Sequence, residues 1–258
     1  MKKVVSVILL LLVALSAISA MPAKGGPGGP PRGMVRVPAG QYTSFIKSSL
    51  SAPRVRVKAF YLDVTAVTNR EFLAFVRANP SWARSRVSPL FADGNYLKDW
   101  ASDFSVGDPR IMNSPVTNVS WFAAEAYAKW VGKRLPTMDE WEYAGSALPV
   151  GAARGTQLTA LILEWYSHPN PEVLPPVRST YCNQFGVYDM HGLVWEWVYD
   201  FNSVLPSGTG NNLLCAAGSQ LSSDKENYAA FMRFQFRESL KGNYTVANLG
   251  FRCAKDAP

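Results

Sequence analysis

From Arg54 to Leu62, Arg54, Arg56 and Lys58 alternate with Val55, Val57 and Ala59, the period of a strand with one wet face. Arg233, Gln235 and Arg237 alternate with Phe234 and Phe236 in the same way and predict a second strand, and Leu249 to Cys253 predicts a third. Three helices are marked by their starts. Thr68-Asn-Arg-Glu71 is a capping box, in which hydroxyl and carboxylate satisfy each other's orphan backbone donors, and it opens a helix with Phe72, Phe75 and Val76 on one face. A second helix follows Ser120, carries Trp121, Ala124, Ala128 and Val131, and stops at Gly132. Thr137-Met-Asp-Glu140, just after Pro136, is another capping box and starts the third. Residues 79–117 and 148–185 are rich in Gly, Pro, Asn and Ser, so long irregular stretches are expected. No repeat of 20–50 residues is visible.

The ends of the chain read differently. Lys2 and Lys3 precede an apolar run from Val4 to Ala17 and a small-residue exit at Ile18-Ser-Ala20, the pattern of a secretory signal peptide. The run falls short of the roughly 20 apolar residues of a spanning helix, so residues 1–20 are expected to be removed on export and to leave no membrane span. Residues 21–33 are Gly- and Pro-rich and read as a flexible leader. One domain is then expected over residues 34–258, in a periplasmic or secreted product.

Composition narrows the chemistry. With 48% hydrophobic and 17% charged residues the chain is too apolar for a disordered protein. Its 8 Trp, 11 Tyr and 13 Phe can build a core without a disulfide framework. Three Cys and two His, with no CxxC or HxxxH spacing, exclude most multi-ligand zinc, haem and iron–sulfur sites. The net charge of +7 includes Lys2 and Lys3 of the signal peptide, and the remaining basic residues are scattered, unlike a nucleic-acid footprint. In an oxidising compartment one disulfide among Cys182, Cys215 and Cys253 is expected, with the pairing left open. His168 and His191 read as surface residues. Asn118-Val-Ser120 and Asn243-Tyr-Thr245 would be glycosylation acceptors in a eukaryotic host.

Several segments together resemble one family. They are Ala66-Val-Thr-Asn69, Asn118-Val-Ser-Trp121, Gly132-Lys-Arg-Leu-Pro-Thr137, Glu140-Trp-Glu-Tyr-Ala144, Asn183 to Gly192, Trp195-Glu-Trp197 and Asn248-Leu-Gly-Phe-Arg252. In this order they resemble the formylglycine-generating-enzyme, or sulfatase-modifying-factor, family over most of residues 34–258. The resemblance implies an irregular α+β fold related to C-type lectins, with low regular secondary structure. Family enzymes that oxidise a sulfatase cysteine hold copper between two cysteines, and soft thiolates suit Cu(I). Here Tyr228 and Arg233 stand at those cysteine positions. A guanidinium is never deprotonated and cannot ligate a metal, which argues against copper and against formylglycine formation. The glycine-glycine-serine-aromatic element is eroded to Ala217-Gly-Ser-Gln220, and Ala128 replaces the helix cysteine that often pairs with the C-terminal one.

The same resemblance assigns residue roles. Asp189, Gly192, Val194 and Glu196 match a family calcium site, offering two carboxylates and two backbone carbonyls to a hard ion. Read as residues alone, Glu196 is equally a buried carboxylate paired with an Arg. Arg233, Gln235, Arg237, Tyr228 and Trp195 are candidates for a groove in which cations would orient an anionic ligand. The alternative is an Arg paired with Glu196 or Glu142. Trp121, Trp130, Trp141, Trp195 and Trp197 stand at structural positions, with Trp195 the best placed to line a cleft. The expected function is that of an exported accessory or maturation factor without formylglycine-generating activity, acting on a protein or a small-molecule ligand. An oxidoreductase of altered chemistry, as in relatives that mature the siderophore pyoverdine, and a lectin-like recognition module are the alternatives.

Overall fold

A computed structural model describes residues 29–44, 54–202 and 225–258, with helix side chains near the third segment's start described from Tyr228 onward. The signal-peptide pattern of residues 1–20, most of the 21–33 leader, Cys215 and the 217–220 element lie outside these residues. The fold is mixed α and β, with short elements set among long ordered loops. Strands β1 (Met34–Val37), β4 (Phe60–Asp63) and β7 (Ala254–Asp256) form an antiparallel sheet in the order β1-β4-β7. Strand β2 (Gly40–Thr43) pairs with β3 (Arg54–Val57), and β5 (Trp195–Trp197) lies parallel to β6 (Leu249–Phe251).

The alternating stretch 54–62 is therefore two strands in two sheets. In β3 Arg54 and Arg56 face solvent while Val57 is buried, as the alternation predicts, but all four residues of β4 are buried. A central strand covered on both faces has no wet side to alternate with. The third predicted strand also divides. β6 ends at Phe251, and Arg252 turns inward before β7 begins.

Helices α1 (Asn69–Ala78), α2 (Trp121–Trp130) and α3 (Met138–Gly145) start where the caps predict. Both capping boxes are formed, Thr68 with Glu71 and Thr137 with Glu140. The core gathers where α1 and α2 meet β6. Phe72 stacks on Tyr127 at 5.8 Å, and Tyr127 meets Phe251 edge-on at 5.4 Å. The irregular stretch 79–117 is ordered by side chains that serve backbone groups. Buried Asn69 donates to the carbonyls of Ile111, Ser114 and Pro115 and accepts from the Trp100 indole at 2.8 Å. Asn118 is likewise buried, with a φ of 53° and its amide donating to Asp99.

Two elements depart from the sequence reading. Within the expected loop 148–185 stands helix α4 (Leu158–Tyr166), whose Leu158, Leu161, Ile162, Trp165 and Tyr166 follow helical spacing. The segment expected as a strand around 233–237 is the end of a long helix, α5 (Lys225–Glu238), which packs against α4. Five alternating residues fit a strand, but the window that decides is longer. Ala229, Arg233 and Arg237, four apart, are buried on α5 together with Phe234, which adjoins Arg233.

Candidate functional site

Because the 225–238 segment is helical, the five groove candidates do not share one face. Successive helical residues turn by about 100°, which puts Tyr228 and Arg233 on well-separated faces of α5. Tyr228 is 43% exposed, whereas Arg233 is 7% exposed, and Gln235 is half-buried away from the arginine face. Arg233 and Arg237 come together one turn apart, and both grip Glu142 of α3. Arg233 donates to Glu142 through Nε at 3.1 Å and Nη2 at 2.7 Å, and Arg237 through Nη1 at 2.7 Å. Arg233 Nη1 also donates to the Ala229 carbonyl at 3.2 Å. Burial by itself would raise the Glu142 carboxyl, but the two guanidinium groups overcome it and hold it at about 2. Burial opposes the charge on Arg233 too, and Glu142 more than restores it.

Trp141 separates this cluster from a second one. The Arg237 guanidinium lies 4.7 Å from the Trp141 ring centre, close enough for a cation–π contact. The Trp141 indole N–H donates to Glu196 at 2.7 Å. Glu196 is bound on its other side by Arg252, through Nε at 2.8 and 3.0 Å and Nη2 at 2.9 Å. Both side chains of that pair are fully buried. Arg252 also donates to the carbonyls of Asp63 and Tyr188. The parallel register sets this geometry, since Glu196 lies opposite Gly250 and Arg252 follows two residues later.

The carboxylates expected at a calcium site are thus engaged within the protein. Glu196 is the carboxylate paired with an Arg. Asp189, held at a φ of 57°, accepts from the Arg178 backbone N–H and from Thr180 through its N–H at 2.9 Å and its hydroxyl at 2.8 Å. Gly192 adopts a φ of 98° with Thr180 packed against it, as the predicted tight turn requires, and Val194 is buried. Ca²⁺ needs six to eight oxygens with free lone pairs. All four carboxylate oxygens here already accept from N–H or O–H donors, so the set as arranged does not fit the ion, and among the described residues no cluster of three or more His, Cys, Asp or Glu side chains is poised for a metal.

Copper fares no better. The two residues that the resemblance sets at the copper positions are an exposed phenol and a buried, ion-paired guanidinium on different faces of α5. Among the described residues Cys182 and Cys253 are not bonded to each other, which removes one of the three pairings left open by the sequence. Cys253 is buried beside Asp63, and burial pushes its thiol up, away from the thiolate a metal requires.

Aromatic residues cover the Arg233 cluster. Trp195 is half-buried, 4.6 Å from Phe236 of α5 between ring centres, and Tyr166 of α4 stacks on it at 5.0 Å. Trp195 is therefore roofed by an α4 that the sequence reading did not contain. Trp141 and Trp197 are core residues as expected, but Trp130 is 45% exposed. His191, expected at the surface, is only 2% exposed and meets Trp141 edge-on at 5.4 Å. Its Nε2 faces the Gly145 carbonyl at 3.0 Å, which fixes the proton on that nitrogen. Burial and then the charge of Arg233 lower its pKa to about 3, so the ring is neutral. His168 is exposed, as predicted.

Comparison with known proteins places the chain in a family. Residues 22–257 match the family profile described as Sulfatase-modifying factor enzyme 1-like domain. The chain is 33% identical to the formylglycine-generating enzyme of Streptomyces coelicolor, over 88% of its own length and 90% of that protein. It is 30% identical to the inactive C-alpha-formylglycine-generating enzyme 2 of Mus musculus, over 80% of its own length and 78% of that protein. Among solved structures, that of PvdO from Pseudomonas aeruginosa superposes with a TM-score of 0.52 at 22% identity, covering 87% of this chain and 94% of that one. Motif order, fold and profile converge: the chain belongs to the sulfatase-modifying-factor, or formylglycine-generating-enzyme, family.

Proposed function

We propose that this chain is an exported family member that does not generate formylglycine and serves as an accessory or maturation factor for another exported product. One observation carries the reading. By the family resemblance Arg233 stands where copper-dependent relatives supply a thiolate, and in the structure Glu142 grips it as a permanent cation. Oxidation of a cysteine by thiolate-bound copper needs a soft electron-rich ligand, which a guanidinium cannot replace. The likeness to the mouse relative described as inactive supports the loss of that activity. The basic-then-apolar pattern of residues 1–20 supports export, and among the described residues no helix is long and apolar enough to cross a membrane.

The test is a direct one. Purified chain beginning at residue 21, supplied with Cu(I) and oxygen, is incubated with a cysteine peptide of the kind that sulfatases present. Mass spectrometry should find the peptide unchanged and the protein without stoichiometric copper. Aldehyde formation on the peptide would refute the proposal.

A further inference from the structure

Away from the arginine cluster, α2 presents Phe122, Ala126 and Trp130 at four-residue steps, so the three share one face. Rings from α1 and the segment after it surround that face. Trp130 meets Phe75 at 5.6 Å between ring centres, and Phe75 meets Trp82 at 6.3 Å. Trp82 meets Phe91 at 5.9 Å, and Phe91 returns to Phe122 at 5.5 Å. The five rings form a circuit that α2 closes, with half-buried Ala126 between Phe122 and Trp130. Phe75 is buried beneath the others, whereas Phe91 and Trp130 are each 45% exposed. Glu125 and Lys129 on the same helix pair with each other at 2.8 Å and add no net charge. A contiguous exposed aromatic surface of this kind marks a place where something docks.

The chain itself carries a segment of complementary chemistry. Residues 21–32 contain Pro22, Pro27, Pro30 and Pro31 and no aromatic residue. Proline has no N–H to satisfy, and its extended helix is ordered before binding, so aromatic rings recognise it at low entropic cost. The leader also starts from the right place. The Gly33 carbonyl accepts from the Val64 N–H at 2.9 Å, and Met34 stands opposite Asp63 in the β1–β4 register. Asp63 in turn holds Lys133, three residues beyond Trp130. At its root the leader is not packed elsewhere among the described residues, since Pro30 is exposed and a Cβ on Gly29 would meet nothing within 4 Å. We propose that the Pro-rich leader folds back along α2 and docks on the aromatic circuit, Pro27 against Trp130 and Pro22 against Phe122 and Phe91. The lengths agree. At about 3.1 Å per residue Pro27 and Pro22 reach about 19 and 34 Å from Gly33, about 15 Å apart. Trp130 and Phe122 stand about 12 Å apart along α2. Lys24, between the two prolines, then comes to Glu125, between the two rings. Docked in this way, the leader covers an apolar face otherwise open to other exported chains.

Trypsin reads this docking on the chain beginning at residue 21, because the Lys24–Gly25 bond lies inside the docked stretch. Each cleavage rate, followed by mass spectrometry, is taken relative to that of the corresponding free peptide 21–32. When opening is fast relative to cleavage the rate tracks the open fraction, so Lys24 of the parent should be cut about tenfold more slowly than the peptide. Trp130→Ala and Phe91→Ser should each restore the peptide's rate, and Pro22→Ser with Pro27→Ser should do the same. Joining Trp130→Ala to the two proline changes should add nothing further, because both remove one contact. Both rings are exposed and the prolines lie outside the folded domain, so each variant keeps its fold. The proposal is overturned if the parent is cut as fast as the peptide, or as slowly as Trp130→Ala. Protection that grows with protein concentration also overturns it, since the leader would then lie on a second copy.

Discussion

At the scale of single residues, His191 and Glu142 make stability depend on acid in two stages. An unfolded His titrates near 6.5, whereas folded His191 is held to about 3 by burial and then by Arg233. A depressed folded pKa means the unfolded chain binds the proton first. The contribution is therefore complete above the unfolded value and is lost as pH falls through the window down to about 3, at roughly 1.4 kcal/mol per pH unit. Glu142 adds a second loss, beginning where an ordinary carboxyl titrates near 4.5 and running down to about 2. Urea midpoints taken between about pH 7 and pH 4 should fall steadily, and His191→Gln should flatten the upper part of that slope. An unchanged slope in the variant would mean that His191 is not the group responsible. Nothing local in Met190-His191-Gly192 shows that this histidine is buried. Its environment is assembled by α3, through Trp141 and Gly145, from residues some fifty positions away in sequence.

Elements matter here chiefly through how they aim side chains. The parallel pair β5–β6 sets Glu196 opposite Gly250 and so brings Arg252 onto Glu196. A Cβ on Gly250 would stand 2.7 Å from the Val116 carbonyl oxygen, a backbone atom with little freedom to retreat. Gly250→Ala should therefore cost about 1–3 kcal/mol in chemical denaturation, by pushing β6 off its neighbour. A variant as stable as the parent would show that β6 has room to shift. Helix α5 teaches a different lesson. Its end reads as a strand because Arg233, Phe234, Gln235, Phe236 and Arg237 alternate, yet Arg233 and Arg237 are also four apart, and only their common partner on α3 settles which period applies. Helix α4 was legible in its apolar spacing, but the Gly- and Pro-rich residues around it obscured the pattern.

For the molecule as a whole, the donor shells around Asp189 and Glu196 predict indifference to chelation. With their oxygens already accepting from protein donors, treatment with a calcium chelator should leave Tm unchanged, since no ion bound only by the native state would be withdrawn. A clear drop in Tm would restore the calcium assignment. What the sequence determined by itself was local or compositional. The capping boxes fixed where α1 and α3 start, because a cap is made by residues three apart. The aromatic content ensured a core, and the ordered motifs specified the family. Only the tertiary structure decided which charges meet. Glu142 took Arg233 and Arg237, leaving Glu196 to Arg252. A carboxylate and a guanidinium pair equally well in either combination, and the choice belongs to the packing that brings α3, α5 and the β5–β6 pair together around Trp141.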